Sequence, residues 1–149
     1  MPRLDAGRVA TWRAFGVAAA DVQRKVEAGL VDDYDLPLSW FEILASLQAA
    51  GGSMRVGELC EALHELPSSL SRRLDRLEEE GFISRTTSPL PDDRRAVTVA
   101  LTPDGRAEWR DANITYRRMV QQHFASVLSD TDIAALQRTP QDRGRSRVR

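Results

Sequence analysis

The chain has 149 residues, 42% hydrophobic and 29% charged, with a formal net charge of −1. That length suits one domain with a core that needs no disulfide, and the composition excludes wholesale disorder or a collagen-like repeat. The charge is uneven: residues 1–66 carry 6 basic and 10 acidic side chains, whereas residues 138–149 carry 5 arginines and one aspartate.

Val9, Trp12, Phe15, Ala19, Val22 and Val26 recur at spacings of three and four and predict a first helix over residues 8–30, with Gly29 near its end. The acidic stretch Asp32–Pro37 reads as a connector. A second helix is expected from Leu38, with Ser39 and Glu42 in the form of a capping box. Its apolar residues Trp40, Phe41, Ile43, Leu44 and Leu47 surround the axis and place it at the centre of the core. Gly51-Gly52 should end it. A short third helix spans 56–64, and Glu65-Leu66-Pro67 breaks it. A fourth follows over 68–80, with Gly81 just past its end.

Two strands, 82–87 and 96–102, flank a loop rich in proline and aspartate and form a hairpin. Thr102-Pro103 caps and opens a fifth helix over 103–128, about 39 Å long at ~1.5 Å per residue. A helix that long should reach a partner chain. Ser129 and Asp132 start a sixth helix, which Pro140 cuts short. The tail, 138–149, is basic and is expected to be disordered.

The fold class that follows is mainly α with a small β-hairpin wing: a winged helix-turn-helix framed by N- and C-terminal helices. On the fourth helix, at about 100° per residue, Leu70, Leu74 and Leu77 share a narrow apolar side. Ser68, Ser69, Arg72 and Arg76 lie opposite it. Arg73 is on the flank, and Glu78, Glu79 and Glu80 crowd the C-terminal turn. A recognition helix enters the major groove with its N-terminal residues at the base edges. Arginine can take guanine bidentately, and serine can reach bases or phosphates. The candidate DNA-binding residues are therefore Ser68, Ser69, Ser71, Arg72, Arg73 and Arg76 on the helix. The wing adds Arg94 and Arg95 for the minor groove, with Asp93 placed to orient Arg95. A solvated amphipathic helix gives the same pattern without DNA, and a winged-helix module that binds an acidic protein partner is the alternative reading.

These segments resemble the MarR family of bacterial regulators, the multiple-antibiotic-resistance type, over residues 8–137. The segment Val56–Leu63 resembles the family's first helix-turn-helix element. Leu70–Ile83 resembles its recognition helix running into the wing, and Asp93–Thr102 its wing motif, an Asp-x-Arg followed by an alternating strand. The resemblance implies a homodimer built through helices at 8–37 and 103–137 and a DNA-binding region at 38–102. It also implies a palindromic double-stranded DNA operator, and repression relieved by a small ligand or by oxidation. Two features depart from the family. Pro67 stands where a side-chain cap usually opens the recognition helix, and the sixth helix is short. The basic tail could add a sequence-independent DNA contact.

Trp12, Phe15, Trp40 and Tyr116 admit two readings, core packing or the lining of a pocket for an aromatic or phenolic effector. Arg117 and Arg118 could meet an anionic effector or stand in solvent. Cys60, the single cysteine, falls on an apolar helix side and reads as a buried inert thiol. His64 reads as a cap or surface residue, and His123 as an interface residue. With two histidines and one cysteine there is no metal-ligand cluster, phosphate loop or nucleophile motif, so neither metal, cofactor nor catalytic residue is expected. No apolar run approaches the ~18 residues of a membrane span. Residues 1–5 lack the apolar core of a secretory leader. With the lone thiol, this points to the cytoplasm and away from the membrane.

Overall fold

The structure, a computed structural model, describes residues 4–88 and 96–138. The wing residues Asp93, Arg94 and Arg95 and most of the basic tail lie outside the described residues.

Helix α1 (Ala6–Tyr34) starts where the Asp5 carboxylate accepts from the Arg8 backbone N–H at 2.8 Å. It does not stop near Gly29, as the sequence suggested. Gly29 is instead a point of close approach, since a Cβ there would lie 2.8 Å from Met119 Cγ. The helix then runs on through Asp32 and Asp33, because the fifth helix supplies partners for that last turn. The Tyr34 hydroxyl donates to the Asp111 carbonyl at 2.9 Å. Asp33 accepts from the Thr115 hydroxyl at 2.6 Å and from Arg118 at 3.0 Å. Asp35, in the left-handed region at φ 53°, ends it.

Helix α2 (Leu38–Ala49) buries Phe41, Ile43, Leu44 and Leu47 at the centre of the core, as its apolar girth implied. Its start differs from the expected capping box. Pro37 occupies the cap position, and the Leu38 N–H donates to Glu27 of α1 at 3.1 Å, so the orphan donor is satisfied from another helix. Gly51 and Gly52, at φ 87° and 112°, turn the chain into β1 (Ser53–Arg55), a strand the sequence did not signal. Helix α3 (Val56–Leu63) follows and ends at His64, φ 54°, which is thus a cap. Helix α4 (Pro67–Glu79) has Pro67 in its first turn and no side-chain cap at Leu66.

Gly81, φ 78°, leads into β2 (Ile83–Thr87), which pairs antiparallel with β3 (Val97–Leu101). Strand β1 pairs on the other side of β3, Met54 opposite Val99, giving the order β1-β3-β2. Thr102 caps α5 (Pro103–His123), its hydroxyl accepting from the Gly105 N–H at 3.0 Å. The 21 residues of α5 reach about 32 Å, less than expected, because a 3-10 turn (Ala125–Val127) interrupts the stripe. Helix α6 (Asp130–Gln137) carries the expected Ser129/Asp132 reciprocal cap. Cys60 is buried at 6% exposure beside Leu59.

The α1–α5 junction has a pH signature. The Thr115 hydrogen bond outweighs desolvation and, with Arg118 adding to it, holds the Asp33 carboxyl below its ordinary value. The folded state therefore takes up that proton less readily than the unfolded chain. The resulting stability is complete above the ordinary aspartate range and is lost as the pH falls through the lowered folded value. Asp33→Asn is expected to lower the urea midpoint at about pH 6 and to lower it by less at about pH 3. Urea unfolding of both proteins at the two pH values checks this.

Candidate nucleic-acid interface

Leu70, Leu74 and Leu77 are buried at 0–2% exposure and fix the roll of α4 on the core. With those three inward, Ser68, Ser69, Ser71, Arg72 and Arg76 must face out, and all five are exposed. Arg72 has no hydrogen bond or ion pair among the described residues. Its guanidinium is uncommitted among the described residues. Arg76 pairs with Glu79 at 3.2 Å with both side chains largely exposed, a contact that solvent weakens.

Arg73 stands apart from the other helix candidates. Its side chain is only 19% exposed, forms an ion pair with Glu65 and donates to the Ser69 carbonyl at 3.3 Å. It ties α4 to the turn that precedes it. Glu42 of α2 lies close enough to feel that charge. Burial nevertheless pushes its carboxyl up, with Arg73 opposing the shift. The angular position of Arg73 was legible in the sequence; its partner across the turn was not.

The structure does not gather the four aromatic residues considered for an effector pocket. A cavity of about 770 Å³ lies between α1 and the C-terminal segment, lined by Phe15, Val22, Phe124, Val127 and Leu136 among others. Trp12, Trp40 and Tyr116 do not line it. Trp12 is 73% exposed on α1. Trp40 packs against the core, and Tyr116 stacks on Phe41 with ring centroids 4.5 Å apart. Burial, with Glu42 adding to it, raises the Tyr116 hydroxyl above its usual value. His123 borders the same cavity. Arg118 is engaged by Asp33, while Arg117 is exposed. Phe124 and Leu136 escaped the sequence reading as cavity residues because only the fold brings them to the same cavity as Phe15.

A helix that presents serines and an uncommitted arginine, set between a short helix and a β-hairpin, defines a winged helix-turn-helix. Comparison with known proteins agrees. The MarR family profile matches residues 36–97. The multiple antibiotic resistance protein MarR of Salmonella typhimurium is 34% identical over 103 residues, 69% of each chain. The HTH-type transcriptional repressor MdtR of Bacillus subtilis is 30% identical over 91 residues, 61% of this chain and 56% of that one. Among solved structures, the MarR family regulator Sco3205 of Streptomyces coelicolor, determined in complex with DNA, superimposes with a TM-score of 0.82 at 25% identity, covering 92% of this chain and 86% of that one. AbsC, also of Streptomyces coelicolor, gives 0.80 at 24% identity over 91% and 90%. The chain belongs to the MarR family of transcriptional regulators; it is a regulator, not an enzyme. Among the described residues no helix is long and apolar enough to cross a membrane.

Proposed function

We propose that the protein is a homodimer that binds a palindromic double-stranded DNA operator and represses transcription until a small ligand releases it. The observation that carries the reading is the exposed Ser68–Arg72 end of α4, with Arg72 uncommitted while the leucines on the opposite side are buried. Arg72 reads a base in the major groove, and Ser68, Ser69 and Ser71 contact bases or phosphates. Arg94 and Arg95, which fall between β2 and β3 in the sequence, take the minor groove, with Asp93 orienting Arg95. Residues 38–102 form the DNA-binding region, and 8–37 and 103–137 the dimerisation helices.

Dimerisation is supported by apolar surface that one chain leaves uncovered. Trp12, Phe15, Val17 and Val127 are 51–73% exposed, and two of them border the 770 Å³ cavity. Large apolar patches on a small chain mark interfaces. An aromatic or phenolic ligand would suit the apolar wall of that cavity. Footprinting on the DNA that flanks the protein's own gene, with and without a panel of phenols, tests the reading. Two protected half-sites that vanish with one of the phenols are expected; no protection at any protein concentration would refute it.

The basic tail adds affinity without sequence preference. Each phosphate that it neutralises contributes roughly −0.9 to the slope of log affinity against log salt. Deleting residues 141–149 is expected to flatten that slope on operator and scrambled duplexes alike. Salt titrations of the truncated chain measure it.

A further inference from the structure

One ion-pair cluster beside the recognition helix plays no part in the reading above. Arg85 of β2 reaches across to α4, where its Nη2 donates to Asp75 Oδ1 at 2.7 Å and to Glu78 Oε1 at 3.2 Å. Its Nε donates to Glu78 Oε2, also at 3.2 Å. The guanidinium thus holds Glu78 through both carboxylate oxygens and Asp75 through one. The Arg85 side chain is 27% exposed, against 54% and 41% for the acids. The hydrogen bonds from Arg85 hold the Glu78 carboxyl below its ordinary value.

The position of these acids is what gives the cluster meaning. Asp75 follows Arg72 by three residues and so lies on the same side of α4, one turn further along. Glu79 is also on that side, and Arg76 partners it. The helix that meets the duplex therefore carries carboxylates behind its reading end, and arginines answer them. Exposed pairs contribute little to folding. An uncompensated carboxylate facing phosphates, in contrast, is strongly unfavourable to binding.

We propose that Arg85 is a positioning residue for DNA binding, which masks the charges of Asp75 and Glu78 without itself touching DNA. This rests on the DNA-binding reading of α4. The arrangement suits arginine, whose planar fork takes Glu78 through two nitrogens while one of them also donates to Asp75, a bidentate geometry that the point charge of an ammonium does not offer.

The test uses full-length chain and two probes: a duplex that the wild type enriches from a random-sequence library, and a mixed-sequence duplex. Arg85→Met is expected to bind both roughly tenfold or more weakly at low salt, with the deficit shrinking as salt rises. Its melting temperature should stay close to that of the wild type. The decisive variant is Asp75→Asn/Glu78→Gln/Arg85→Met, which removes the clamp entirely yet also removes the charges it masks. Recovery to within about threefold of the wild type is expected. A purely structural clamp, or a direct phosphate contact from Arg85, would not be rescued in this way. A triple variant as weak as Arg85→Met, or an Arg85→Met variant that binds normally, would overturn the proposal and leave the DNA reading intact. A wild type that enriches no duplex would overturn both.

Discussion

Replacing Arg72 by alanine is expected to cost a dimer about 2–6 kcal/mol of operator binding, from about 1–3 kcal/mol at each half-site. The side chain sits one turn into α4, opposite Leu70 and Leu74, and nothing among the described residues holds it. Its loss should therefore leave the fold untouched and relax the preference at one base pair per half-site. Arg73→Ala is the informative contrast. Arg73 is committed to Glu65 and to the Ser69 carbonyl, so its removal should lower the melting temperature and weaken all duplexes alike. Binding measured against a set of single-base operator variants separates the two patterns. Flattened base preference in Arg73→Ala but not in Arg72→Ala would reverse the assignment.

Gly105→Ala is expected to destabilise the protein by about 3 kcal/mol, a melting-temperature drop of roughly 6–12 °C for a chain of this size. Gly105 packs against the backbone of Phe82, where a Cβ would overlap the carbonyl oxygen and lie 2.7 Å from the carbonyl carbon. Neither backbone can give way cheaply. The Phe82 carbonyl accepts from the Thr102 N–H at 3.1 Å, and Thr102 caps α5 through Gly105 itself. This junction joins the end of α4, the base of the wing and the start of α5, so the substitution should weaken DNA binding beyond its effect on folding. Gly57→Ala serves as the control. A Cβ on Gly57 meets nothing within 4 Å, and the residue lies in α3, where alanine is the better helix former. Thermal melts of both variants should move in opposite directions.

Much of this architecture is legible in the residues, because the signals are local. Pro67, Thr102-Pro103 and Ser129 mark helix starts by chemistry that acts within one turn. The leucine spacing of α4 fixes which side faces out before any neighbour is known. What escaped depends on contacts distant in sequence. Gly29 reads as a helix stop, yet it is where α1 touches Met119, so the helix continues. Ser39 and Glu42 have the spacing of a capping box, but Glu27, eleven residues before Leu38, supplies the acceptor instead. Strand β1 has three residues, too few to show a period of two, and exists because β3 offers an edge. Of the aromatic residues grouped by type, Phe15 alone lines the cavity, which it shares with Phe124 and Leu136.

The central claim is that α4 reads DNA sequence as one of a pair. Enrichment of a random duplex library by the full-length protein, followed by footprinting of the winning sequences, tests it most directly. The expected result is an inverted repeat whose half-sites lie one DNA turn apart, about 34–36 Å, protected on successive major grooves and lost with Arg72→Ala. A library that emerges with no shared sequence, or a single unpaired site bound equally well by Arg72→Ala, would contradict it.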